Sequence, residues 1–211
     1  MGNSIIARAE HKIYIENKRR KLKNTEPSLM CDNCNAGVIL HDLGLKFNSP
    51  TVNLYFKPAD YLRFLTEPHK YLNAVPVEIN TEKSFPVGKI EDVTVFFMHY
   101  PDFETAKKKW VERSSRVNFD KLFLMMTDKN SCVYEQVAKF DSLPYAHKVI
   151  FTHKPYPEFK SACYIKGFEN DGEVGVLSDW KPGFLKRRYL DDFDYVAFIN
   201  GEIYNFSEIN R

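Results

Sequence analysis

The sequence predicts an α/β fold: a mainly parallel sheet flanked by helices in three layers, with an irregular C-terminal extension. Three observations carry this. Apolar runs recur at Val93–Met98, Leu122–Met126 and Val149–Phe151. The segments between them, 103–116 and 132–142, have helical spacing. Near-continuous apolar runs are expected of strands buried on both faces. Strand, helix, strand, helix, strand is how a parallel sheet is connected.

The 211 residues suit one domain. It divides into a basic N-terminal segment (1–23), a sheet core (24–160) and the extension (161–211). The first segment reads as a solvated helix. Its apolar residues Ile5, Ile6, Ile13 and Tyr14 make a poor stripe. Cys34–Leu43 reads as a short helix, with Asp32 or Asn33 to cap its start and Gly44 to close its end. Thr51–Phe56 alternates and is rich in β-formers, so a strand is expected. Pro58 suits the first turn of a helix whose buried face is Tyr61, Leu62, Phe64 and Leu65. Residues 67–92 read as irregular. After the three main strands and their two helices come short strand-like runs at Tyr164-Ile165 and Val174–Leu177. A last helix is expected near 189–199.

Composition excludes several classes. With 44% apolar and 15% aromatic residues, the chain can build a core and is not disordered. Net charge is +2, so binding to nucleic acid through a global positive charge is not expected. The charge is uneven: seven basic and two acidic residues give 1–23 a net +5, leaving −3 for the remainder. That basic segment is a candidate contact for an anionic membrane or a membrane enzyme. No apolar run approaches the roughly 20 residues of a membrane span, and no secretory signal is visible, so a cytoplasmic location is expected. The four cysteines do not make a disulfide framework and are expected to be reduced.

Candidate chemistry sits at strand ends. Parallel sheets bind ligands beyond the carboxyl ends of their strands. The three main runs end in His99-Tyr100, Thr127-Asp128 and Thr152-His153. His99 and Asp128 are the candidate base and its orienter. Cys34 near a helix start is a candidate nucleophile, because the helix dipole lowers a thiol pKa there. Asn33 is a candidate oxyanion or anion contact. Arg113 and Arg116 share a helix face and could clamp a phosphate. Thr127 and Thr152 complete the binding set. Cys31 and Cys34 lack a second close pair, so no zinc site is expected. No Walker or GxGxxG loop is present, and no bound cofactor is expected beyond an activated sugar-nucleotide or acyl donor.

These residues also carry a resemblance. Asn33-Cys34, Gly37, Leu43-Gly44-Leu45 and Ser49-Pro50-Thr51-Val52-Asn53-Leu54 resemble the signature of a bacterial family, domain of unknown function nineteen-nineteen. His99-Tyr100, Trp110 with Arg113 and Arg116, Asn118 with Asp120, Met126-Thr127-Asp128 and Phe140-Asp141 with Leu143-Pro144 extend it. The family is usually labelled exopolysaccharide biosynthesis. It implies an α/β fold and a setting in capsule or exopolysaccharide gene clusters, and it supplies no reaction. The stretch before Asn33-Cys34 departs from the family pattern, being only Pro27-Ser28-Leu29-Met30. The functional expectation is a transferase moving a sugar or acyl group from an activated donor to a carbohydrate or lipid-linked glycan precursor. The alternative is a non-catalytic glycan-binding or accessory protein of the same machinery.

Overall fold

Two sheets organise the computed structural model, which describes residues 2–183, 187–202 and 204–206, with side chains from residue 9 onward. In chain order the elements are α1 (Gly2–Lys21), β1 (Ser28–Cys31), α2 (Asn35–Leu43), α3 (Pro58–Thr66), α4 (Pro68–Leu72), β2 (Val77–Glu78), β3 (Val87–Ile90), β4 (Val93–Phe96), α5 (Phe103–Ser114), β5 (Leu122–Thr127), α6 (Tyr134–Ser142), β6 (Lys148–Thr152), β7 (Ala162–Tyr164) and α7 (Tyr195–Ile199). The large sheet is parallel with order β1-β5-β6-β7. The small one is antiparallel with order β2-β3-β4.

The pleat of β5 sorts the core. Leu122, Leu124 and Met126 point to one face, where α3, α4, α5, α6 and the small sheet pack. Phe123 and Met125 point to the other, against α2, α7 and the C-terminal segment. Every residue of β5 is buried, as a central strand covered on both faces requires. The expected α/β class and its three layers are therefore present. Local signals also hold: Gly44 takes a left-handed conformation (φ 69°) to close α2, and Pro58 opens α3.

Several expectations are corrected. Val93–Met98 is not a strand of the parallel sheet. Its first four residues form β4, the second arm of a hairpin with β3. The hairpin turn is Glu91-Asp92, with Glu91 at φ 53°, and lacks the Asn-Gly signature that marks such turns in sequence. The third neighbour of the parallel sheet is instead β1, four fully buried residues. Thr51–Phe56 is not a ladder strand: Asn53 at φ 64° breaks it, leaving one bridge from Tyr55 to Phe96. Residues 67–92 hold α4, β2 and β3. Val174–Leu177 is not a strand. The last helix is a 3-10 turn (Tyr189–Asp192) followed by the short α7.

Helix α1 is less solvated than expected. Ile15 is buried, and Lys18 sits 3.9 Å above the Tyr195 ring. Arg19 Nε donates to the Asp42 carbonyl at 2.7 Å, tying α1 to the end of α2. The Ile5 and Ile6 side chains lie outside the described residues. No described helix is long and apolar enough to cross a membrane.

Candidate functional site

The carboxyl ends of β1, β5 and β6 deliver Asp32, Thr127-Asp128 and Thr152-His153 to one edge of the sheet. Register does this, since Cys31 pairs with Met125 and Thr127 with Phe151. Two carboxylates at this edge are almost fully buried, Asp32 at 1% and Asp128 at 3% exposure. Buried carboxylates require hydrogen-bond partners, and each finds a different set.

Asp32 Oδ2 accepts from Thr127 Oγ1 at 2.8 Å. The Cys31 thiol lies 3.3 Å from Asp32 Oδ1. Thr127 Oγ1 in turn accepts from Asn33 Nδ2 at 3.0 Å, so Asp32 fixes Asn33 through a threonine relay. Burial pushes the Asp32 carboxyl up to about 7, outweighing the donors that favour its charged form.

Asp128 is held by three donors. Oδ1 accepts from the Val174 N–H at 2.7 Å. Oδ2 accepts from the His153 N–H at 2.8 Å and meets His153 Nδ1 at 2.5 Å. An acceptor carboxylate assigns the proton to Nδ1 and leaves Nε2, across the ring, free to take one. The His153 side chain retains 13% exposure. The next loop is strained: Asn130 and Ser131 both have positive φ (59° and 61°).

Beside this pair lies a cleft of about 210 Å³. Asn33, Cys34, His99 and Lys129 supply its polar lining, and Met98 and Val176 its apolar rim. Its far wall, Gly175–Ser178, follows directly on Val174, whose N–H binds Asp128. Gly175 is required there, because an added Cβ would lie 2.3 Å from the Phe168 ring.

The sequence-derived residues separate into two groups. Asn33, Cys34 and His99 share the cleft. Asp128 adjoins the lining residue Lys129 in sequence and orients His153, not His99. The main-chain N–H of the exposed His99 donates to the Asn53 carbonyl at 3.2 Å. Thr127 is consumed by the relay, and Thr152 is buried with its hydroxyl on the Lys154 carbonyl at 2.8 Å. Arg113 is buried, donating to the Tyr100 hydroxyl at 2.8 Å and covering the Phe47 ring. Arg116 is bound to Glu112 and reaches the Phe47 carbonyl. Both arginines thus brace the loop before residue 50, and the expected phosphate clamp is replaced by this structural role.

Cys34 is also corrected. It is the N-cap residue of α2, yet burial, with the Asp32 charge adding, raises its thiol above the ordinary value. The start of α2 lines the cleft through Cys34, Asn35 and Val38, but the Asn35 N–H is taken by Asn33 Oδ1 at 3.0 Å. The Ala36 N–H reaches the Cys31 sulfur. Sequence reasoning left out Asp32, Lys129 and His153. His153 was visible as a strand end, and its pairing followed only from β6 lying beside β5. Among the described residues no group of three His, Cys, Asp or Glu side chains is placed to hold a metal.

An uncharacterized protein of Haemophilus influenzae is 47% identical over 182 residues, covering 86% of this chain and 88% of that protein. A family model described as a domain of unknown function, DUF1919, matches residues 5–200, which takes in α1, both sheets and every residue of the cleft. The chain belongs to the DUF1919 family.

Proposed function

We propose that the protein is a transferase of surface-polysaccharide assembly, passing an acyl or glycosyl group from an activated donor directly to an acceptor hydroxyl. The observation that carries this is the Asp128–His153 pair at the strand ends, one residue from the cleft wall. His153 Nε2 takes the acceptor's proton as that oxygen attacks the donor carbon. The bond to the leaving group breaks, and its electron pair departs with the leaving group. Asn33 Nδ2 has one N–H beyond its bond to Thr127, which suits a developing oxyanion. Lys129 supplies positive charge for the leaving group. The raised Cys34 thiol favours direct transfer over an acyl-enzyme. The polysaccharide setting comes from the family resemblance.

The test begins with thermal-shift screening of sugar nucleotides and acyl-CoA thioesters, followed by a turnover assay with the donor that stabilises the protein. His153→Asn should lower turnover by about 10²–10⁴-fold with donor binding retained. Cys34→Ser should stay within a few-fold of wild type. If His153→Asn has full activity, the mechanism is wrong. If polymer production in cells survives it unchanged, the accessory-protein reading replaces the enzyme.

A further inference from the structure

We propose that the cleft takes a phosphorylated lipid, with the phosphate against Lys129 and Asn33 and the hydrocarbon chain across Met98 and Val176. This rests on the transferase reading for which edge of the sheet is used, and it names the substrate class.

The cleft has two unlike sets of lining residues. The polar set includes Asn33, His99 and Lys129. Lys129 Nζ donates to the Val174 carbonyl at 3.1 Å, with Glu173 at 3.9 Å. An ammonium has three N–H groups, so donors remain for an anion. Asp128, the nearest buried carboxylate, is already saturated by His153 and Val174. The apolar set includes Met98 and Val176, 38% and 53% exposed, the one following β4 in the chain and the other two residues beyond Val174. Exposed large apolar side chains and polar groups lining one cleft match an amphipathic ligand.

Size supports the same choice. About 210 Å³ is below the roughly 300–1,000 Å³ that encloses a drug-sized ligand. The cleft encloses a head group and leaves the rest on the rim. A wholly polar donor would leave Met98 and Val176 against water. At the basic end of α1, Lys18 and Arg19 are committed to Tyr195 and the Asp42 carbonyl, and the cavity beside Lys18 and Lys21 is also lined by the carboxylates Asp191, Asp192 and Asp194, which disfavour an anion.

The experiment is calorimetric titration of the full chain with butyl, hexyl, octyl and decyl phosphate below their micelle-forming concentrations. Inorganic phosphate and octyl glucoside are the head-only and uncharged controls. Wild-type affinity should rise about two- to fourfold per added methylene, with both controls far weaker than octyl phosphate. Met98→Gln with Val176→Asn should flatten that rise and keep the butyl phosphate affinity. Lys129→Met should weaken every phosphate about tenfold and keep the rise. A wild-type affinity independent of chain length overturns the proposal. So does a rise that survives Met98→Gln/Val176→Asn, which would place the chain elsewhere. His153→Asn should bind the series like wild type, so loss of chain dependence sinks the substrate class alone, while full turnover in His153→Asn sinks the catalytic reading alone.

Discussion

The protein buries charge in two places, and they differ in what the charge meets. At the sheet edge, Asp32 and Asp128 are held by a hydroxyl, a thiol, two main-chain N–H groups and one imidazole. On the far side, where α1 and α2 meet the C-terminal segment, Arg188 is clamped between Asp42 and Asp191. Both regions contain a histidine: on the far side His11 packs edge-on to Trp180. At the sheet edge the carboxylate pairs with an imidazole, whereas the cavity beside Asp191 on the far side is lined by Lys18 and Lys21 with Asp192 and Asp194. Burial of charge by itself marks structure as often as function. The partner's chemistry and its access to a ligand decide between them.

The sharpest way to break this contrast is Arg188→Leu. It leaves Asp42 and Asp191 buried without their cation, and stability to urea should fall by about 3–5 kcal/mol. Donor binding at the cleft should survive in the folded fraction. If stability hardly changes, the C-terminal seam is not the structural half of the pair.

Asp32 gives a smaller effect with a distinctive pH signature. Its carboxyl is raised by burial to about 7, so in the folded protein it holds its proton where the unfolded chain has released it. The associated stability is complete below pH ~4 and is lost as pH rises toward 7, by up to about 4 kcal/mol. Asp32→Asn should remove that slope when unfolding free energy is compared with wild type from pH 4 to pH 8. An unchanged slope would mean that the buried carboxyl is not the group that titrates.

Gly175→Ala comes next. The new methyl would meet the Phe168 ring, and overpacking of this kind costs about 1–3 kcal/mol. Because residue 175 adjoins Val174, the Asp128–His153 bond should loosen too, visible as a change in the His153 ring chemical shifts by NMR. A stability loss with unaltered His153 ring shifts would separate the cleft wall from the pair. Smallest is Lys109→Ala, which removes an exposed partner of Glu112 and should shift stability by less than about 0.5 kcal/mol. A loss above 1 kcal/mol would show that α5 depends on its surface charges.

Much of the frame was legible in the residues. The runs 122–126 and 149–151 are strands of the parallel sheet, and Gly44 and Pro58 mark helix ends as their backbone preferences dictate. The run at 93–97 misled because continuous apolarity reports burial, and a hairpin arm sandwiched against a second layer is buried as fully as a parallel strand. Pairing Asp128 with His99 assumed that β4 neighbours β5, and sheet order is a tertiary fact. The burial of Arg113 had a readable signal: Ala106, Trp110 and Arg113 are spaced four and three apart, so the arginine shares the stripe that faces the core. The Asp32 relay had none, since it joins side chains 94 and 95 residues apart in sequence.

That separation has a kinetic side. Strand β1 hydrogen-bonds only to β5 within its sheet, so it stays unpartnered until the ribosome has added the whole excursion of α2 to α5. At about 5–20 residues per second, the wait lasts roughly 5–20 s. Throughout it the nascent Asp32 is hydrated and ionised, and the arrival of Thr127 is what first offers it a hydroxyl in place of solvent. Assembly of the sheet therefore strengthens this side chain's hold on a proton, and slightly acidic conditions should favour the docking of β1 during refolding.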